Sequence, residues 1–354
     1  MERIVDKVRS GERISAPEAL LLWEMAPLWL LGSLAMEVRR RLNGELVYYN
    51  RNFHIEPSNV CRFNCRFCSY RRPEGSPEAW DLTPAQVEAI ARRYVDAGVT
   101  EVHIVGGVHP HHDLAYWADM VRLVHSVLPE AVVKAFSAVE LADMISRAGL
   151  SYTDGLRLLR DAGMASIPGG GAEIFDPEIR QQICPDKIDA DQWLALHEAA
   201  HNFGITSNAT MLYGHIENLS HRVDHMERLR SLQDGTGGFS AFIPLKYRSA
   251  NNGLSPLGEV GIVDDMRTVA MSRIFLDNFP HIKTYWPMYG RQAAEMALSF
   301  GADDMDGTID NTTRIYLMAG AEESAPAMTV DELRTIAASA GLTLAERDTF
   351  YNII

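Results

Sequence analysis

A chain of 354 residues, 47% of them hydrophobic, can bury one large core, and a single α/β barrel of about 250 residues with additions fits within it. Forty-seven acidic residues against 33 basic ones leave a formal charge of −14, which argues against nucleic acid as a partner, because phosphate binding needs a basic face. The charged start Met1-Glu2-Arg3-Ile4-Val5-Asp6-Lys7 has no signal-peptide apolar region. The one very apolar run, 20–36, contains Glu24 and Pro27 and falls short of the ~20 uninterrupted residues of a membrane span. Four cysteines and no disulfide framework lead to the expectation of a soluble, cytoplasmic protein.

In chain order, residues 1–45 read as helices, one of them opened by the cap Ser15-Ala16-Pro17-Glu18. The expected organisation is a helical cap at 1–48, a barrel at 49–320, and a helix and tail at 321–354 packed on it. Strand one is expected at 49–55. Further strands follow at 100–105, 132–137, 165–168, 206–213, 239–245, 282–287 and 304–309. Helices are expected at 83–98, 114–128, 190–203, 220–233, 264–278 and 292–300. Eight strands alternating with helices point to an α/β fold with a parallel sheet closed as a (β/α)8 TIM-type barrel, an open doubly wound sheet being the alternative. Residues 321–327 read as a hinge into a last helix at 330–340.

In such a barrel the working residues lie where strands end. Strand one leads into Cys61-Arg62-Phe63-Asn64-Cys65-Arg66-Phe67-Cys68, a C-x3-C-x2-C spacing that uses three of the four cysteines, and Cys184 lies far downstream without a paired ligand. Three thiolates on one tight loop can hold three irons of a cubane cluster and leave the fourth iron open, whereas ferredoxin spacings supply a fourth cysteine nearby. Zinc with a distant histidine, or a chance group of thiols, are the other readings of the same residues. Strand two ends in Gly106-Gly107-Val108-His109-Pro110, strand three in Ser137-Ala138-Val139-Glu140, and strand four in Gly169-Gly170-Gly171-Ala172-Glu173, where three glycines allow close approach of backbone to a ligand. Asn208, Thr210 and His215 follow on strand five, Lys246 and Arg248 on strand six, and Tyr285, Tyr289 and Arg291 on strand seven.

The spacing C-x3-C-x2-C, with the aromatic Phe67 just before the last cysteine, resembles the signature of the radical S-adenosylmethionine (SAM) superfamily. The resemblance implies a [4Fe-4S] cluster on Cys61, Cys65 and Cys68 whose open iron chelates the amino and carboxylate groups of SAM, and reductive cleavage of SAM to a 5'-deoxyadenosyl radical. It implies that Gly106 and Gly107 meet the SAM amino group, although Val108 stands where the family often has Glu. Ser137 is assigned to the same cofactor, Glu173 to its ribose hydroxyls and Arg180 to its carboxylate. Asn208, Thr210, His215, Tyr285 and Arg291 are the expected catalytic set. Arg51, Arg62, Arg66, Arg71 and Arg72 flank the cysteines with Glu56 the only acidic residue from 51 to 72, an excess suited to an acidic flavodoxin or ferredoxin as electron donor.

Over nearly the whole chain, Asn52-Phe53-His54-Ile55-Glu56-Pro57-Ser58-Asn59, the run 169–174 and Gly301-Ala302-Asp303-Asp304-Met305-Asp306-Gly307-Thr308 resemble the menaquinone (futalosine-pathway) branch of that superfamily. Glu173-Ile174-Phe175, Ile183-Cys184-Pro185-Asp186-Lys187 and the ending 346–352 are most similar to the aminofutalosine synthases. That resemblance implies addition of the 5'-deoxyadenosyl radical to 3-[(1-carboxyvinyl)oxy]benzoate, giving 6-amino-6-deoxyfutalosine, methionine and bicarbonate or CO2. A substrate with two carboxylates calls for cationic donors in the barrel. The alternatives are the dehypoxanthine futalosine cyclases, which abstract hydrogen instead, and a non-catalytic iron-sulfur electron carrier.

Overall fold

The computed structural model describes residues 1–321 and 326–354, so most of the hinge expected at 321–327 lies outside the described residues. Ten strands run through the described residues: β1 (Leu46–Asn50), β2 (Asn52–Ile55), β3 (Glu101–Ile104), β4 (Val132–Ala135), β5 (Met164–Ile167), β6 (Thr206–Tyr213), β7 (Phe239–Lys246), β8 (His281–Ile282), β9 (Asp304–Gly307) and β10 (Thr343–Glu346). Strands β2 to β8 pair in sequence order, all parallel, and β1 lies between β9 and β10 in a second parallel sheet. The two sheets belong to one ring. β1 and β2 are halves of one strand broken at Arg51, and Thr284 N donates to Asp304 O (2.8 Å) while Asp303 N donates to Ile282 O (3.0 Å), joining β8 to β9. With β1 and β2 taken as one strand and β10 left outside, the ten strands give the eight positions of the expected (β/α)8 barrel.

The seam of the barrel lies between β2 and the segment after β9, where side chains replace a backbone ladder. Asn52 N donates to Thr308 Oγ1 (3.3 Å) and His54 N to Thr312 Oγ1 (2.7 Å). Thr313 Oγ1 and Arg314 N donate to the buried Glu56 carboxylate at 2.8 and 3.0 Å.

Alternation sets which side chains enter the barrel. In β2 and β3 the fully buried Phe53, Val102 and Ile104 face the helices, while Asn52 and His54 stand in register with Glu101 and His103 on the inner face. The interior is therefore polar where such barrels usually carry Val, Ile and Leu.

Helices α1 (Glu2–Ser10), α2 (Ala16–Met25) and α3 (Leu28–Asn43) precede the barrel. Ser15 and Glu18 form a capping box at the start of α2, an arrangement worth about 1 kcal/mol. Ala26, held extended (φ −74°, ψ 136°) by the proline that follows, splits the apolar run 20–36 between α2 and α3. Among the described residues no helix is long and apolar enough to cross a membrane. The buried Arg39 of α3 donates to the carbonyls of Gly44 (2.8 Å), Leu46 (2.6 Å) and Ala302 (3.0 Å), fastening the helix to the start of the sheet.

Several elements differ from expectation, among them the helix expected at 83–98, which is Pro84–Arg92. The sheet begins at Leu46 rather than at residue 49. The strand expected at 282–287 is only His281–Ile282, because Pro287 offers no N–H for a ladder and lies in a helical turn, Trp286–Tyr289. The last segment carries the helix Val330–Ser339 and also β10, whose partner β1 lies nearly 300 residues away. Beyond β10 the chain plugs the N-terminal end of the barrel: Arg347 pairs with Asp304 (2.6 Å), Thr349 donates to Glu101 (2.8 Å), and Tyr351 stacks on His281 (3.7 Å).

Candidate active site

A cavity of about 300 Å³ opens at the C-terminal ends of the strands, with Phe67 and Cys68 at its rim and Lys134, Glu101, Lys283 and Asp306 deep within the barrel. The cysteine loop is fixed from both sides. Cys61 N donates to Arg72 O (3.0 Å), Arg66 N to Ile183 O (2.8 Å), Asn64 N to the Asp186 carboxylate (2.8 Å), and Val108 N to Cys61 Sγ (3.3 Å). Gly106 and Gly107 allow this packing: a Cβ on Gly106 would lie 2.7 Å from Ser58 O, and one on Gly107 would strike the Val60 carbonyl. Gly106 lines the cavity, with its N–H bonded to the Glu140 carboxylate (3.0 Å), whereas Gly107 stands behind it and donates to Ser58 O (2.7 Å).

The donor set fits a cubane cluster better than a single metal ion. A tetrahedral zinc, about 2.3 Å from each sulfur, would hold its thiolates within about 4 Å of one another. Cys61, Cys65 and Cys68 do not form such a group; among the described residues only Asp81, His109 and His112 bring three donor atoms within 4.8 Å of one another. That trio is itself bonded as a hydrogen-bonded cluster. His109 Nδ1 accepts from the N–H groups of His111 and His112 (both 3.2 Å), so its proton sits on Nε2, directed at the Asp81 carboxylate (3.4 Å).

The wall beside the cysteines is built from the next strand ends. Ser137 caps the helix Ala138–Arg147, and the Glu140 carboxylate accepts from Ser137 N (2.7 Å), Ser137 Oγ (2.6 Å) and Gly106 N. Burial pushes the Glu140 pKa up to about 7, against these hydrogen bonds. Gly169 and Gly171 have φ of +85° and +91°, and a Cβ on Gly169 would strike the Asn208 carbonyl, so this loop requires glycine. It delivers Glu173 to the cavity, ion-paired with Lys187. Burial opposes the charge on Lys187, but Glu173 and the nearby Cys65 and Cys184 hold its pKa above the usual lysine value.

Of the residues expected from the sequence, Cys68, Gly106, Ser137, Glu173, Asn208, Thr210 and Tyr285 line the cavity. Thr210 donates to Gly169 O (2.8 Å), and the Tyr285 ring packs on Tyr316 at 5.0 Å. Arg180, His215 and Arg291 lie elsewhere. The Arg180 guanidinium donates to the carbonyls of Ala172, Ile174 and Ile188 and so shapes the glycine loop instead of reaching a ligand. His215 is used within its own turn, bonded to Leu212 O (3.0 Å) and accepting from Ile216 N (2.8 Å). Arg291 reaches Glu332 (2.6 Å) and Ala327 O (2.8 Å) on the far side of the strand end. Lys246 lines the cavity with its ammonium on Asp265 (2.8 Å), while Tyr289 bonds Tyr213 (3.0 Å).

The sequence reading missed the floor. There Lys134 pairs with Glu101 (2.8 Å), Lys283 pairs with Asp306 (2.6 Å), and His54 Nε2 faces His103 Nδ1 at 3.3 Å. The signal was present as polar residues alternating with apolar ones in Asn52-Phe53-His54-Ile55 and Glu101-Val102-His103-Ile104, and as Lys134 inside an apolar strand.

Residues 55–229 match the Radical SAM superfamily and residues 236–353 the CofH/MqnC C-terminal region. Aminodeoxyfutalosine synthase of Thermus thermophilus is 41% identical over 98% of this chain and 94% of its own, and that of Streptomyces coelicolor is 40% identical over 98% and 92%. A cyclic dehypoxanthine futalosine synthase of Streptomyces coelicolor is 32% identical over 99% and 88%. Among solved structures, methylornithine synthase superposes with a TM-score of 0.77 at 15% identity, covering 97% of each chain, a likeness of fold. The chain belongs to the radical SAM superfamily, in the group that carries the CofH/MqnC C-terminal region. It is a radical SAM enzyme whose cofactors are a [4Fe-4S] cluster and SAM, and Cys61, Cys65 and Cys68 fit the cluster motif.

Proposed function

We propose that the protein is an aminodeoxyfutalosine synthase that joins the 5'-deoxyadenosyl group of SAM to the enol-ether carbon of 3-[(1-carboxyvinyl)oxy]benzoate and releases methionine and bicarbonate or CO2. The observation that carries this reading is the cavity itself, which runs from Cys68 at the rim to Lys134 and Lys283 at the floor and so offers an aromatic dicarboxylate a polar end opposite the cluster. The greater identity to the synthases than to the cyclic dehypoxanthine futalosine synthase supports it.

When bound and reduced, the cluster supplies the electron that splits SAM into methionine and the 5'-deoxyadenosyl radical. The chain's own residues hold the reactants. Lys187, beside Phe67, is the cation placed for the SAM carboxylate, the role the sequence assigned to Arg180. Glu173 is placed for the ribose hydroxyls and Glu140 for the SAM amino group, taking the place of the carboxylate that Val108 lacks. Leu212, Ile243, Leu245 and Ile315 wall the cavity with groups that exclude water and hold the alkene near the adenosyl carbon. Arg62 and Arg66, exposed on the cysteine loop, form the docking edge for an acidic flavodoxin or ferredoxin.

The test is anaerobic turnover of cluster-loaded protein with dithionite, SAM and the enol ether, followed by mass spectrometry. An adenosyl adduct together with methionine supports the synthase. Methionine with only free 5'-deoxyadenosine sends the search to the cyclase substrate, and no SAM cleavage from a reduced cluster returns to the electron carrier.

A further inference from the structure

At the floor of the cavity, His54 on β2 and His103 on β3 are register partners, with His54 Nε2 and His103 Nδ1 3.3 Å apart. His54 is buried and His103 partly buried, both line the cavity, and their other nitrogens, His54 Nδ1 and His103 Nε2, are buried without a partner among the described residues. A neutral pair contains one proton between the rings and one more to place. Whichever ring donates, the pair presents one N–H and one lone pair on its two remaining nitrogens. A carboxylate, which only accepts, meets one favourable and one repulsive nitrogen. Adding one proton turns both into donors.

The surrounding charges favour that addition. Lys134, Lys283 and Arg347 are balanced by Glu101, Asp304 and Asp306, with Lys134–Glu101 at 2.8 Å, Lys283–Asp306 at 2.6 Å and Arg347–Asp304 at 2.6 Å. Each ammonium is already committed, so an entering carboxylate leaves one uncompensated negative charge in a buried layer. His54 also borders an outer cleft at the barrel seam with Glu56, Arg93, Asp310 and Arg314, through which a proton can reach it. Burial keeps both imidazoles neutral, with the His54 pKa down at about 4.

We infer that the His54–His103 pair is the carboxylate subsite of the cavity and that it takes up one proton together with the substrate carboxylate. This rests on the reading of the substrate as an aromatic dicarboxylate, and it assigns the specificity for that group to two imidazoles instead of to the lysines.

The test is titration calorimetry on the oxidised, cluster-loaded protein with SAM, which cannot turn over, near neutral pH in buffers of different ionisation enthalpy. The ligands are 3-[(1-carboxyvinyl)oxy]benzoate and, separately, benzoate. The expected result is uptake of about one proton per ligand bound. His54→Gln and His103→Gln should each bring the uptake near zero and weaken binding about tenfold or more, with iron content and melting temperature as checks on folding. The wild-type proton count decides even if both variants fail to fold. Binding of the enol ether without uptake overturns the subsite and leaves the proposed reaction standing. Benzoate binding with uptake while the enol ether fails to bind upholds the subsite and removes the substrate reading, and no binding of either ligand overturns the subsite.

Discussion

The Lys187 ammonium is ion-paired with the Glu173 carboxylate and lies 5.1 Å from the centroid of the Phe67 ring, so one side chain ties the glycine-rich strand end to the cysteine loop. The segment that carries it is held against the same loop by Arg66 N on Ile183 O and Asn64 N on Asp186. The cysteine loop, the Glu173 carboxylate and the Lys187 cation thus form one unit.

Lys187→Met leaves Glu173 buried without its partner and is expected to lower stability by about 3–5 kcal/mol. Adding Glu173→Gln should restore most of that stability but not SAM affinity, which is expected to stay at least about tenfold weaker. Chemical denaturation and equilibrium dialysis with SAM separate the two effects. Equal recovery of both would assign Lys187 a purely structural role.

Gly107→Ala drives a methyl group into the Val60 carbonyl and should displace the cysteine loop, seen as a loss of bound iron after reconstitution. Gly235→Ala is the contrasting case. Its Cβ would meet nothing within 4 Å, its φ is not positive, and it lies in the helix Leu219–Thr236, so it should stabilise by up to about 1 kcal/mol with full iron content.

Acid stability should depend on the barrel floor. Burial opposes ionisation of Glu101, but Lys134, Lys283 and Arg347 pull its pKa down to about 2. A depressed carboxylate pKa gives stability that is present above the unfolded value of about 4.3 and is lost as pH falls toward the folded one. The wild type is therefore expected to lose stability between about pH 4.3 and 2. In the paired variant Glu101→Gln with Lys134→Met, denaturation across that range should show a shallower fall.

Reduction by a protein donor should be sensitive to the exposed edge of the cysteine loop. Arg72 is bonded to Glu78 (2.6 Å) and Arg62 to Asp143 (3.2 Å), whereas Arg66 is exposed and, among the described residues, its side chain reaches the Gln182 carbonyl (3.4 Å) and no carboxylate. Arg66→Glu is expected to slow cluster reduction by flavodoxin several-fold at low salt and leave dithionite reduction unchanged. Stopped-flow absorbance with each reductant checks this, and equal slowing would exclude the docking edge.

Strand and helix order was readable because it depends on local alternation, caps and glycine, and the helix at 114–128 and the strand at 206–213 sit within a residue of expectation. The cysteine spacing and the glycine-rich strand ends were legible for the same reason, each being local. Arg180, His215 and Arg291 were misplaced because proximity to a strand end does not fix where a long or ring side chain turns. Arg180 folds back onto its own loop, and Arg291 reaches the last helix. The floor was lost for the opposite reason: Lys134 and Lys283 acquire meaning only when β3, β4, β8 and β9 close around them. β10 is only four residues long, two of them polar, and only its pairing with β1 makes it a strand.

The most direct measurement is turnover with SAM carrying 13C throughout its adenosyl group, with the enol ether and a reduced cluster under anaerobic conditions. The proposed function predicts that the label appears in an adduct of the mass of 6-amino-6-deoxyfutalosine, formed in step with methionine and absent when Cys68→Ala replaces the wild type. Label recovered entirely as free 5'-deoxyadenosine, with the enol ether unchanged, would contradict it.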